Sequence, residues 1–298
     1  MTPHTDAPEG PSLRRLADAA EARLGEHGLA LRDLGVLGPE DPAAAHFAAA
    51  VERGFYETVP TGAALRQQLE AHAADGRRRL GVYAPGDDPA ARRPAATFED
   101  FVQPLTTWPG RTVDAWLITD VTVSPDARRR GVLRAMMLRS LADARDAGLC
   151  AAALTATEAA IYGRFGFGAA TRWHAVRIDV SGAPALTGAP AGGRVTVEEP
   201  REIPGLVDEL YGRVLPATPG SVQRTSFSVP RWEDREASRN EGRGSGLYAA
   251  VHRDDDGRVQ GVALYRFEGW EKEPPTITVT AFLAATADAR RGLVHHLA

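Results

Sequence analysis

The sequence predicts an α+β fold built twice along the chain, and three observations predict it. Stretches such as Trp116-Leu117-Ile118-Thr119-Asp120-Val121-Thr122-Val123 read as period-2 strands, Trp116, Ile118 and Asp120 alternating with Leu117, Thr119, Val121 and Val123 and both faces partly apolar. Between such stretches lie amphipathic segments of helical period. A run of small residues, SGAPALTGAPAGGR, then divides the 298-residue chain. The length suggests about two domains. The expected boundaries are a tail and first helix over 1–25, a first unit over 26–181, a linker over 182–194 and a second unit over 195–298.

In order, SLRRLADAAEARLGEHG reads as a helix with Ser12 as its cap and Gly28 as its stop. LALRDLGVL reads as a strand. DPAAAHFAAAVERGFYE and TGAALRQQLEAHAADG read as helices, the first with Pro42 at its opening position behind Asp41. From Arg78, three strands are expected in RRLGVYAPG, PAATFEDFVQPLTT and RTVDAWLITDVTVS, the last closed by Pro125. A helix then runs from about Arg130 to Ala147 and ends at Gly148. A buried strand (LCAAALTAT), a short helix (EAAIYGRF) and a strand (TRWHAVRIDV) complete the first unit. The second unit offers a strand and helix in VTVEEPREIPGLVDELYGRVL, two strands joined at an Asp-Gly turn in GLYAAVHRDDDGRVQGVALYRFE, and a strand in TITVTAFLAAT. ADARRGLVHHLA ends the sequence as a helix with one face expected to be poorly covered, as in a truncated chain.

Composition narrows the function classes. With 43% hydrophobic and 25% charged residues and a net charge of -4, the chain reads as an ordinary globular protein and not as a general nucleic-acid binder. Lys272 is its one lysine, so arginine carries the basic charge. The single cysteine, Cys150, excludes an internal disulfide framework and a zinc-thiolate cluster, and its apolar surroundings lead us to expect a buried structural thiol. No apolar run reaches the roughly 20 residues of a membrane span. The N-terminus shows no signal peptide, so a cytoplasmic location is the default.

The segment TVSPDARRRGVLRAMM places three arginines and a glycine where a helix begins. A helix start exposes backbone N–H groups and partial positive charge, Gly131 admits a ligand close to the backbone, and arginines bind phosphate oxygens. A pyrophosphate would suit such a place; a solvated helix start is the alternative. No Walker A loop and no Gly-x-Gly-x-x-Gly fingerprint is present.

The string Arg128-Arg129-Arg130-Gly131-Val132-Leu133-Arg134-Ala135-Met136, followed by Thr157-Glu158-Ala159-Ala160-Ile161-Tyr162-Gly163-Arg164-Phe165-Gly166-Phe167-Gly168, resembles the enhanced intracellular survival (Eis) family of GCN5-related N-acetyltransferases. The resemblance covers roughly residues 40 to 298. The superfamily usually carries glycine or alanine two positions after the central glycine; here Leu133 stands there. The resemblance implies tandem acetyltransferase folds, each a mixed, mostly antiparallel splayed sheet flanked by helices, the second degenerate and incomplete. It also implies a C-terminal sterol-carrier-like domain, absent from this chain, and a hexameric assembly. Acetyl-CoA would be the acetyl donor, with no metal, and a primary amine such as an aminoglycoside or polyamine the acceptor; neither nucleic acid nor membrane is expected as a partner.

By the same resemblance, Val121, Thr122 and Val123 pair with pantetheine through their backbones. Arg129, Arg130, Gly131, Val132, Leu133 and Arg134 wrap the pyrophosphate, and Thr157 with Glu158 lines the far side. Tyr162 becomes the general acid that protonates the leaving thiolate, although a tyrosine in an apolar run also reads as core packing. The family's general base is its own C-terminal carboxylate, a role not expected of Ala298. Thr155 replaces a histidine and Asp120 an aromatic of relatives. Asp120 would attract a cationic amine or face solvent. Phe55, Tyr56 and Glu57 are candidates for the acceptor site or plain packing. A non-catalytic acyl-CoA-binding module is the alternative reading.

Overall fold

The computed structural model describes residues 12–156, 158–171, 175–180, 192–225 and 246–298. They form two units, one of 1–104 with 113–170 and one of 105–112 with 171–298.

In the first unit a five-stranded sheet has the order β1 (Ala30–Val36), β2 (Arg78–Tyr83), β3 (Ala96–Trp108), β4 (Arg111–Val123), β5 (Ala151–Leu154). β1 and β2, and β2 and β3, pair antiparallel, whereas β4 and β5 run parallel. Helix α1 (Leu13–Glu26) begins where expected, with the Ser12 hydroxyl accepting from the Arg15 N–H. It joins α4 (Val132–Asp146) over one sheet face, where Ala17, Leu24, Met136 and Met137 enclose Leu80, Val82, Phe98 and Ile118. Arg14 binds Asp143 and Asp146 of α4, each at 2.6 Å. Helices α2 (Pro42–Gly54), capped by Asp41, and α3 (Gly62–Ala74) build a separate cluster around Leu37, Ala44 and Leu69. Phe47 of α2 sits under the Arg79 guanidinium, 5.7 Å from it, so α2 covers the opposite sheet face.

The second unit holds an antiparallel sheet ordered β6 (Arg194–Glu198), β7 (Leu247–Arg253), β8 (Val259–Phe267), β9 (Ile277–Ala284). Helix α5 (Pro204–Val214) buries Ile203, Val207 and Leu210 on Ala249, Val251, Val262 and Leu264. Helix α6 (Ala287–Leu297) buries Ala289 and Leu293, with Leu293 on Ala250 and Ala263, the alternate residues of the same strands. One helix on each face is what period-2 alternation allows. The α6 face expected to lie bare is therefore covered. Residues 105–112 join this unit through backbone bonds from Thr106 to Ser221 and from Gly220 to Thr106, at 2.8 and 2.7 Å.

Four expectations are corrected. The strand foreseen in LCAAALTAT is only Ala151–Leu154, half-buried rather than buried, because it lies at the sheet edge. Cys150, just ahead of that edge strand, is exposed and is no core thiol. The strand foreseen in TRWHAVRIDV is not formed over 175–180, where Val176 and Ile178 are exposed with no ladder partner; residues 172–174 lie outside the described residues, as does 181–191 of the linker. The short helix EAAIYGRF divides into two single 3₁₀ turns, Ala159–Ile161 and Gly163–Phe165. Among the described residues no helix is long and apolar enough to cross a membrane.

Candidate functional site

β4 pairs with β5 for four residues, Ala115 to Ile118 against Ala151 to Leu154, and then continues alone to Val123. Beside residues 119–123 the ladder thus has a gap, β4 running on where β5 has ended. At its start Asp120 takes φ 52°, a left-handed conformation that costs a non-glycine residue strain and that Asp tolerates better than most. The Thr97 hydroxyl donates to the Asp120 carbonyl at 2.8 Å and holds it there.

The left-handed residue shifts the side-chain alternation by one position. Trp116 and Ile118 face α1 and α4, and so do Val121 and Val123, where unbroken alternation would have put them on the other side. Thr122 faces α2, sharing a 2.7 Å hydrogen bond with the Thr97 hydroxyl. A Cβ on Gly54 would stand 2.4 Å from Thr122, so α2 approaches this closely only with glycine there. Val121 and Val123 have core side chains; their backbone is what faces the gap.

The arginine-glycine segment follows a single turn, Pro125–Ala127, behind Ser124, whose hydroxyl is bound to Asp126. Arg129 at φ 63° and Gly131 at φ 78° are both left-handed, and successive amides in such a bend converge on a concave, anion-receiving surface. α4 begins at Val132 with no side-chain cap, and its ladder starts with the Ala135 N–H on the Gly131 carbonyl at 3.0 Å. The amides of Val132, Leu133 and Arg134 therefore point out of the helix end. Arg128, Arg129, Arg130 and Arg134 are exposed around them; Val132 is buried and Leu133 half-buried.

Tyr162 sits between the two 3₁₀ turns, its amide on the Ala159 carbonyl at 3.2 Å and its carbonyl receiving the Phe165 N–H at 2.9 Å. Its ring meets Phe167 edge-on at 6.2 Å. Burial first, then the Glu158 carboxylate, raises its pKa, which keeps the phenol protonated at neutral pH. Tyr162, Leu154, Val121, Val123, Val132 and Leu133 all border one hydrophobic cluster. Of the expected residues, the structure thus brings Val121, Val123, Val132, Leu133 and Tyr162 to one cluster, with Arg129, Arg130, Gly131 and Arg134 beside Val132 and Leu133 in the chain. Glu158 and Thr155 are exposed, and Thr157 lies outside the described residues.

On the α2 side a cavity of about 510 Å³ is lined by Arg53, Tyr56, Tyr83, Thr122, Val123 and Arg128, among others. Tyr56, 85% exposed and left-handed at φ 61°, is not packing; Phe55 and Glu57 are also exposed, away from that lining.

Sequence reasoning missed a buried charge cluster on the α2/α3 face. Glu99 of β3 accepts from Arg79 of β2 at 2.9 Å and from Arg77 at 3.4 Å, with His72 of α3 at 3.4 Å. Arg77 also binds Asp75 at 3.1 Å and approaches Asp120 at 3.8 Å. The histidine and two arginines hold Glu99 below the usual carboxylate range against its burial. Burial and the adjacent Glu99 push Asp120 up to about 8. His72, Glu99 and Asp120 are close enough to share a cation, but both Glu99 oxygens are already engaged by arginines. Part of the signal was present: Glu99-Asp100 interrupt an apolar strand, Arg77-Arg78-Arg79 lead into another, and buried charge requires a partner.

Comparison with known proteins gives this geometry its class. A family model for the acetyltransferase (GNAT) domain matches residues 43–170, and a second GNAT-domain model matches 220–298. The chain belongs to the GCN5-related N-acetyltransferases, with two such domains in tandem. Within them it is Eis-like. It is 34% identical to N-acetyltransferase Eis of Mycobacterium tuberculosis over 179 residues, 58% of this chain and 42% of that protein. It is 35% identical to an uncharacterized N-acetyltransferase of Streptomyces avermitilis over 230 residues, 74% of this chain and 53% of the relative. The crystal structure of Eis1 from Mycobacterium abscessus superposes with a TM-score of 0.61 and 25% identity, over 90% of this chain and 62% of that one. The chain spans about half the length of the curated relatives it matches.

Proposed function

We propose that the first unit binds acetyl-CoA in the gap beside β4 and transfers its acetyl group to a primary amine. One observation carries the reading: an uncapped fifteen-residue helix begins at a left-handed glycine among exposed arginines, one short turn after the end of β4 that has run past its pairing with β5. The amides of 132–134 and the guanidiniums of Arg129, Arg130 and Arg134 would hold the pyrophosphate. The backbone of Val121 to Val123 has the extended form and free edge that pantetheine amides can pair with. Thr157 and Glu158 would border the other side. With the thioester fixed at the end of the gap, much of the barrier is met by orientation.

Tyr162 is the proposed general acid. As the amine nitrogen bonds to the carbonyl carbon and the C–S bond breaks, the phenol gives its proton to the thiolate sulfur, and the nitrogen, on becoming an amide, gives up the proton that restores the phenol. The phenol is protonated at neutral pH, and burial strengthens its hold on that proton. Cationic primary amines, aminoglycosides and polyamines among them, are the proposed acceptors, entering by the cavity that Tyr56 and Thr122 line.

Thiol release from acetyl-CoA, measured across a panel of aminoglycosides and polyamines, tests this. Turnover on at least one amine is expected. Tight acetyl-CoA binding without turnover on any amine would instead indicate the non-catalytic module, and no binding would end both readings.

A further inference from the structure

Arg14, Arg66, Arg78, Arg79 and Arg139 of the first unit each hold a carboxylate. The arginines around the cavity on the α2 side do not. Arg53 in the last turn of α2, Arg93 ahead of β3 and Arg128 after β4 all line it, and all are exposed. Arg128 gives one hydrogen bond, to the Val123 carbonyl at 3.4 Å; Arg53 and Arg93 have no side-chain partner among the described residues. Two carboxylates share the lining, and each is engaged in its own turn: Asp87 accepts from the Ala84 N–H at 3.3 Å and Asp126 from the Ser124 hydroxyl. Three guanidiniums thus face a space whose acids are already committed.

Tyr83 of β2 is a second, independent observation. It lines the same cavity and is 1% exposed, yet its phenol oxygen has no hydrogen-bond partner among the described residues. Its ring lies over Gly81, where an added Cβ would stand 2.6 Å from a ring carbon. Burial, more than the neighbouring Asp87, pushes its pKa up to about 12 against the pull of Arg32, so the O–H remains a donor at neutral pH. A buried donor without an acceptor costs free energy that a ligand oxygen would recover. Thr122 and Val123 line the cavity too, and they belong to the part of β4 beside the gap. A ligand held here therefore lies next to the place assigned to the thioester.

We propose that this cavity is a phosphate subsite for the acceptor, in which Arg53, Arg93 and Arg128, with Tyr83, hold the phosphate monoester of a small phosphorylated primary amine while its amino group reaches the gap beside β4. The proposal rests on the acetyl-transfer reading above and adds a substrate class to the amines named there. Guanidiniums bind phosphate through paired N–H groups, and a dianion answers three of them better than a single carboxylate does. An amine with no anion of its own meets the same arginines as like charges. A space of about 510 Å³ takes a molecule the size of an amino-sugar phosphate. CoA carries a phosphate monoester on its ribose, so the same chemistry has a second source, which the experiment separates.

The test measures kcat/KM at saturating acetyl-CoA for matched pairs, glucosamine 6-phosphate against glucosamine and O-phosphoethanolamine against ethanolamine. The phosphorylated member of at least one pair is expected to be preferred about 30-fold or more. In the Arg53→Ala/Arg93→Ala variant, whose replaced side chains are exposed, that preference should fall to about threefold or less. Calorimetry with CoA and with 3′-dephospho-CoA reads the cofactor separately, and CoA affinity is expected to stay within about twofold in the variant. If another amine is acetylated but neither pair shows the preference, or if the preference survives in the variant, the phosphate subsite is overturned. A variant that loses affinity for CoA and not for 3′-dephospho-CoA would assign the arginines to the cofactor's own phosphate and overturn it as well. No CoA binding, or no turnover on any amine, would overturn the acetyl-transfer reading itself.

Discussion

Nearly the same text, one arginine shorter in the second unit, occurs once in each unit and folds in two ways. Asp126-Ala127-Arg128-Arg129-Arg130-Gly131 precedes α4, and Asp288-Ala289-Arg290-Arg291-Gly292 lies inside α6. In the second unit the Thr286 hydroxyl accepts from the Ala289 N–H, and the helix starts at Ala287. The arginines then sit on a helix, and Gly292 packs where an added Cβ would stand 2.7 Å from the His252 ring. In the first unit Ser124 is bound to Asp126 and caps nothing; the chain makes one turn, breaks, and starts its helix only after Gly131. The lesson is that where the helix begins relative to the glycine, and not the presence of arginine and glycine, decides whether amides are left for an anion.

That contrast can be broken most sharply at the arginines. Replacing Arg129, Arg130 and Arg134 together by glutamate should weaken CoA binding about 1,000-fold or more, each lost charge-assisted bond being worth about 1.5–3 kcal/mol. All three are exposed, so Tm should move by no more than about 2 °C. Calorimetry and a thermal scan read the two quantities separately. Next in size, Tyr162→Phe should lower kcat by about 10²–10⁴-fold and leave acetyl-CoA affinity within about twofold; stopped assays and equilibrium titration distinguish that outcome from a packing defect, which would move both.

Smaller effects sharpen the comparison. Gly54→Ala puts a Cβ against Thr122 and should cost about 1–3 kcal/mol by overpacking, seen as a lowered denaturant midpoint. Thr286→Ala removes the cap of α6 and should cost about 1 kcal/mol without changing CoA affinity. A change in that affinity would show that the second unit takes part after all.

How much was legible follows from how local each decision is. The caps at Ser12 and Asp41 and the stop at Pro125 are set by neighbours within a turn and agree with the structure, whereas the helix expected from about Arg130 begins only at Val132, because Gly131 in its left-handed conformation stands ahead of it as the N-cap residue. The shift at Asp120 was not foreseen. Residues 116–123 read as one period-2 strand, although Thr119 and Asp120 set two polar residues side by side there, and the hold of Thr97 on the Asp120 carbonyl marks where the alternation slips. The cluster of His72, Arg77, Arg79 and Glu99 is likewise assembled from separate elements, so the text shows the charges but not which of them pair. Cys150 was assigned from apolar neighbours, whereas its exposure depends on β5 being an edge.

The central claim is that one of the two domains, the first, seats the nucleotide thioester. Its most direct test is the stoichiometry of CoA binding by calorimetry, on the wild-type chain and on the Arg129→Glu/Arg130→Glu/Arg134→Glu variant. The account predicts one CoA per chain, lost in the variant. Two CoA per chain, or one that survives in the variant, would contradict it.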